Sequence, residues 1–91
     1  MKITDLYATI LNRKETPKPG SYTNSLFDSG LPRIAQKVGE EGTEVVVAAL
    51  APENARLVEE IADLTYHVLV LMVAKGLKPE DVMAELEKRH K

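Results

Sequence analysis

The segment from Val68 to Ala74 reads VLVLMVA and follows a longer amphipathic stretch that begins near Pro52. A helix over 52–75, closed by Gly76, would be apolar on nearly every side in its second half. A helix of that kind has to be buried on every side. The chain has 91 residues, of which 44% are hydrophobic. A chain of this length buries a small share of its surface when alone. Four or five short helices cannot cover such a helix, so the sequence predicts a homodimer built around it. The apolar run is well below the roughly 20 residues that span a bilayer, and no membrane role is expected.

The remaining helices follow from breakers and caps. Thr4 is read as the N-cap of a first helix, with Asp5 in its first turn and Arg13 and Lys14 at its end. Pro17, Pro19 and Gly20 make residues 15–24 a loop, followed by a short helix over 25–29. Gly30 suits a C′ position and Pro32 the start of a helix over 32–49, with Ile34, Ala35, Val38, Val45 and Ala49 inward. Gly39 and Gly42 interrupt that helix at about 1 kcal/mol each, which calls for a close neighbour or a local irregularity. In the helix over 52–75, Leu57, Ile61, Leu64, Val68 and Leu71 form one stripe. Pro79 opens a last helix to about Arg89, with Val82, Met83 and Leu86 inward and a basic tail, Lys88 to Lys91. The fold class is all-α, one domain over 1–91.

Composition narrows the function. There is no cysteine, which removes disulfides and thiolate metal sites and agrees with a reducing cytoplasm. MKITDLYATI has no long apolar core, so no signal peptide is read. Net charge is −2 and 4% of residues are aromatic, which is no basis for a nucleic-acid surface.

Chemistry is concentrated in two acidic pairs. Glu41 and Glu44 stand at i, i+3 with Glu40 adjacent; Glu60 and Asp63 repeat the spacing with Glu59 adjacent. On a helix each pair shares one face. The short turn at Leu50-Ala51-Pro52 makes the two helices antiparallel neighbours, so Glu41, Glu44, Glu60 and Asp63 can converge. Oxygen ligands alone suit a hard cation, Mg²⁺ or its substitute Mn²⁺. The plainer alternative is a solvated acidic face. A di-iron bundle would need Glu-x-x-His, and the i+3 residues here are Asp63 and Glu44. His67, four residues after Asp63, reads as a local hydrogen-bond partner or, alternatively, a metal ligand. Lys37, one turn before Glu41, is either a salt-bridge partner or a phosphate binder. Arg33 opens its helix, where the dipole disfavours a cation, and so suits an anion contact. Ser21, Tyr22 and Thr23 follow Gly20 as three hydroxyls, suited to an N-cap or to phosphate.

SYTNSLFDSGLPRIAQKVGEEGTEVVVAAL followed by EEIADLTYHVLVLM resembles the phosphoribosyl-ATP pyrophosphatase family of histidine biosynthesis. The E-x-x-E and E-x-x-D pairs are similar to those of the wider all-α nucleoside-triphosphate pyrophosphatase superfamily, and Ser21 to Thr23 with Arg33 to Glu41 narrow the likeness. The resemblance implies hydrolysis of phosphoribosyl-ATP to phosphoribosyl-AMP and pyrophosphate, with Mg²⁺ held by Glu41, Glu44, Glu60 and Asp63. It moves Ser21, Thr23, Arg33 and Lys37 toward substrate contacts. The cation would neutralise phosphate charge and lower the pKa of an attacking water, with Glu40 or Glu41 accepting the proton. The alternatives are a house-cleaning nucleotide pyrophosphatase of the same superfamily and a metal-binding helical dimer without activity.

Overall fold

In a computed structural model, described for residues 1–90, the chain forms five α-helices and, among the described residues, no strand. They are α1 (Ile3–Glu15), α2 (Tyr22–Ser29), α3 (Leu31–Ala49), α4 (Asn54–Lys75) and α5 (Pro79–Arg89). The α3–α4 pair has the most extensive packing, and α1 and α2 close over it. The core is Ile10, Leu26, Ile34, Leu69, Val70, Met72 and Val73, with Ile10 and Val70 fully enclosed. Burying one such side chain contributes about 1.5–3 kcal/mol. No helix of the described residues is long and apolar enough to cross a membrane.

Helix boundaries differ from the expected ones where capping chemistry decides them. The first helix is capped by Lys2, not Thr4, because the Asp5 carboxylate accepts the Lys2 backbone N–H at 2.8 Å. The second begins at Tyr22, three residues early, because the Ser21 hydroxyl accepts the Asn24 N–H at 3.3 Å. Gly30, at φ 89°, ends α2 and starts α3 within one residue, which a side chain would oppose. Pro52 lies in the turn, and α4 starts two residues later at Asn54. Gly76 ends α4 in the left-handed region, and the Leu77 N–H donates back to the Met72 carbonyl at 2.8 Å. The Tyr7 hydroxyl donates to the Leu77 carbonyl at 2.6 Å and ties α1 to the α4–α5 link.

The inward faces also need correction. On α3, Ile34 and Ala48 are buried, whereas Ala35 and Ala49 are exposed. Each exposed alanine lies one residue, about 100°, round from a buried one. On α4 the buried side is Leu69, Val70, Met72 and Val73, and Ile61 of the expected stripe is exposed. Helix α5 buries nothing: Val82, Met83 and Leu86 are all exposed. An apolar groove of about 310 Å³ separates it from its neighbours, lined by Ile3, Val68, Met72, Pro79, Val82 and Met83. Helix α3 runs unbroken through Gly39 and Gly42, and a Cβ at either would meet nothing within 4 Å. Within one chain, no neighbouring helix approaches either glycine and the helix shows no irregularity there.

Candidate active site

The turn over 50–53 brings the end of α3 back along the start of α4, and the acidic faces meet. One carboxylate oxygen each from Glu41, Glu60 and Asp63 lies within 4.8 Å of the other two. Glu44 stands outside this trio. Its side chain is 49% exposed, against 13% for Glu41 and 16% for Glu60. Its Oε2 accepts from Arg56 Nη2 at 3.5 Å, while Arg56 Nε lies 4.0 Å from Glu60. Equal spacing in sequence thus does not give equal placement.

Cations rim the carboxylates on the other side. Lys37 Nζ lies 3.2 Å from Glu41 and 3.6 Å from Glu40, and Arg33 lies 3.7 Å from Glu40. The Gln36 amide also donates to Glu40 at 3.0 Å. Burial disfavours the Lys37 charge, but its bond to Glu41, with the fields of Tyr22, Glu41 and Glu40, outweighs burial and raises its pKa. Glu60 is pushed above the ordinary carboxylate range, first by burial and then by the Glu44 and Asp63 charges, against the pull of Arg56.

The trio fits a small hard cation. An octahedral ion with bonds of about 2.0–2.1 Å holds opposite oxygens about 4.1 Å apart and adjacent ones about 2.9 Å apart. The 4.8 Å spread is wider than either, so the carboxylates would have to draw together on such an ion.

Of the expected substrate contacts, Lys37 pairs with Glu41 of the trio, and Arg33 pairs with Glu40, the residue before it. Ser21 caps α2, and the Thr23 hydroxyl is hydrogen-bonded to the Tyr66 hydroxyl. His67 is buried, with Nδ1 2.7 Å from the Asp63 backbone carbonyl and Nε2 3.0 Å from the Tyr22 hydroxyl. Both ring nitrogens are occupied, so His67 is no metal ligand here. Burial raises the Tyr66 phenol pKa, against the pull of the Thr23 bond. A surface pocket of about 560 Å³ runs along the α1–α2 loop beside Ser21 and Tyr22. Sequence reasoning missed Arg56, although its i, i+4 spacing to Glu60 was a usable signal. It also missed the Tyr22–His67 and Thr23–Tyr66 pairs, whose partners are more than 40 residues apart. Lys91 of the basic tail lies outside the described residues, and Arg89 within it pairs with Glu85 at 2.9 Å.

Known proteins share this chain's sequence over nearly its whole length. A protein named phosphoribosyl-ATP pyrophosphatase from Listeria welshimeri is 55% identical over 87 residues, covering 96% of this chain and 84% of its own. One of the same name from Sulfurisphaera tokodaii is 54% identical over 86 residues, 94% of this chain and 92% of its own. A third, from Saccharolobus solfataricus, is 48% identical over 89 residues, 98% and 95%. Residues 3–90 match the family described as phosphoribosyl-ATP pyrophosphohydrolase. With that match and these relatives, the chain belongs to the phosphoribosyl-ATP pyrophosphohydrolase family.

Proposed function

We propose that the protein hydrolyses the α–β phosphoanhydride of 1-(5-phosphoribosyl)-ATP, giving 1-(5-phosphoribosyl)-AMP and pyrophosphate, the second step of histidine biosynthesis. Family membership supports the substrate. The observation that carries the chemistry is the trio of Glu41, Glu60 and Asp63 rimmed by Lys37 and Arg33. Glu41, Glu60 and Asp63 would hold Mg²⁺, or Mn²⁺ in its place, and Glu44 would join them on leaving Arg56. The ion, when bound, neutralises phosphate charge and favours ionisation of an attacking water.

The chain's own residues do the rest. Lys37 and Arg33 are both tied to Glu40 in the free protein. A polyphosphate offers them a denser negative charge, and both turn to it. That exchange strips Glu40 of two cations and leaves it free to accept a proton from water. Glu41 is committed to the cation, which makes Glu40 the better general base of the two. The first turn of α2, with Ser21 and Thr23, flanks the phosphates, with backbone N–H groups at a helix start.

The working unit is a cytoplasmic homodimer. The observation for the dimer is the apolar surface left on α3, α4 and α5, including Val46, Val47, Leu50, Val58, Val82 and Met83. The deciding assay is pyrophosphate release from phosphoribosyl-ATP, ATP and dUTP, with and without Mg²⁺. Release from phosphoribosyl-ATP alone, and only with the cation, is expected. Equal turnover of dUTP would favour a house-cleaning pyrophosphatase.

A further inference from the structure

A histidine 6% exposed in the core of a small helical protein is costly unless its polar atoms are bonded. Both ring nitrogens of His67 are bonded, and to different helices. A backbone carbonyl only accepts, so Nδ1–H donates to the Asp63 carbonyl at 2.7 Å. In the neutral ring, Nε2 then accepts the Tyr22 O–H at 3.0 Å. Tyr22 is the first residue of α2 and is about half exposed, while its hydroxyl reaches this buried partner. Tyr66 packs edge-on against the imidazole at 5.0 Å and stacks on Tyr22 at 6.2 Å. Tyr66 also holds the Thr23 hydroxyl. Elsewhere α2 is held by Leu26 and Phe27 against the core and by Asn24, which donates to the Arg13 carbonyl at 2.6 Å; the Tyr22 and Thr23 bonds are what tie its first turn to α4.

We infer that His67 is a positioning residue: through Tyr22 it fixes the first turn of α2, with Ser21 and Thr23, relative to the carboxylates of α3 and α4. The inference rests on the reading above, in which that turn meets the substrate's phosphates. One imidazole ties the backbone of Asp63, a member of the trio, to the turn on the phosphate side. An apolar residue at 67 would fill the space and leave α2 free to shift.

Tyr22→Phe removes the hydroxyl and keeps the ring. We expect KM for phosphoribosyl-ATP to rise about 5–10-fold with kcat within about twofold, the effect of one lost hydrogen bond on binding. Affinity for inorganic pyrophosphate with Mg²⁺, by calorimetry, should fall by a similar factor. His67→Asn keeps a donor for the Asp63 carbonyl and drops Tyr22. The double variant should therefore bind no worse than His67→Asn alone, because the two act through one contact. Additive losses, or pyrophosphate affinity equal in Tyr22→Phe and wild type, overturn the inference whatever the activity. If His67→Asn fails to fold, Tyr22→Phe decides alone, with ¹⁵N spectra of the wild-type imidazole. The neutral ring must carry its proton on Nδ1, and a proton on Nε2 refutes the geometry. A wild type that binds pyrophosphate but cleaves no phosphoribosyl-ATP refutes the proposed activity and leaves the positioning comparison standing.

Discussion

Asp63→Asn keeps the shape of the side chain and removes its charge, while Glu44→Gln does the same one turn outside the trio. The two changes look equivalent in sequence and are not equivalent in the fold. Asp63 offers an oxygen within 4.8 Å of both Glu41 and Glu60, whereas Glu44 is half exposed and paired with Arg56. A ligand that binds only the folded state stabilises it by RT ln(1 + [L]/Kd), about 2.7 kcal/mol at a concentration of about 100 Kd. For a domain of this size each kcal/mol shifts Tm by about 4–8 °C, so Mg²⁺ at that concentration raises wild-type Tm by about 11–22 °C. Losing one of the proposed protein ligands would cost roughly 30-fold in affinity, within the tenfold to hundredfold range seen even for supporting residues. The same Mg²⁺ then stabilises Asp63→Asn by only about 0.9 kcal/mol, or about 4–7 °C.

The assay is thermal unfolding of each variant with and without Mg²⁺, beside pyrophosphate release. Metal-free Asp63→Asn should hold its stability or gain some, since carboxylate repulsion is relieved. Glu44→Gln should retain most of the Mg²⁺ response. Both should lose activity, Asp63→Asn the more. Equal Mg²⁺ shifts in wild type and Asp63→Asn would refute the site. So would a destabilised metal-free Asp63→Asn together with a wild type indifferent to Mg²⁺, which would make the carboxylates structural.

Four further outcomes are expected. Glu60 has a raised folded pKa, from burial and then its acidic neighbours, so its ionisation costs stability at neutral pH. That cost is relieved as pH falls through the folded pKa, which lies above the usual carboxylate value; metal-free denaturation as pH is lowered from neutral toward that usual value should show a gain in wild type that Glu60→Gln lacks. Lys37→Ala should raise KM strongly with a small change in kcat, and steady-state kinetics with an unchanged KM would leave Lys37 as a partner of Glu41 alone. Gly39→Ala should raise stability by about 0.5–1 kcal/mol in chemical denaturation, because nothing approaches that position within the chain; a loss would reveal a close approach by a partner or ligand. Sedimentation should give a dimer at micromolar concentration, and a stable folded monomer would remove the proposed assembly.

Much of this was legible because it is local in sequence. Proline, glycine and the acid spacing are enough to place five helices and to put Glu41, Glu60 and Asp63 on facing surfaces. The boundaries slipped where a side chain two or three residues away decides the cap, as with Asp5 and Lys2 or Ser21 and Asn24. The faces of α3 slipped because alanines carry almost no periodic signal, so Ala48 and Ala49 could not be told apart. The stripe through Ile61 and the inner side of α5 have a different cause. Ile61, Val82, Met83 and Leu86 are arranged as for burial yet stand exposed in one chain, while Leu57, Leu64, Val68 and Leu71 of the same stripe are half-buried. What remained hidden is long-range: the His67–Tyr22 and Tyr66–Thr23 contacts depend on how α2 lies across α4, and no spacing encodes that.

The charges around the site argue for its order of events. Glu40, Glu41, Glu44, Glu60 and Asp63 form one neighbourhood with Arg33, Lys37 and Arg56 threaded through it. Five carboxylates and three cations leave two negative charges, which one divalent ion balances. The metal-free protein is therefore only moderately frustrated, and can fold before it is loaded. In the proposed reaction a polyphosphate would draw Lys37 away from Glu40 and Glu41 and Arg33 away from Glu40. The carboxylates would then be more negative than before, and Glu41, Glu60 and Asp63 would hold a divalent ion more tightly. Metal and nucleotide binding would be coupled through two side chains, and by linkage each would strengthen the other. The same exchange would free Glu40, already 45% exposed, of both cations when a phosphate chain binds. Activation of water would then follow substrate binding, because the residues proposed to bind substrate are those that otherwise pair with the proposed base.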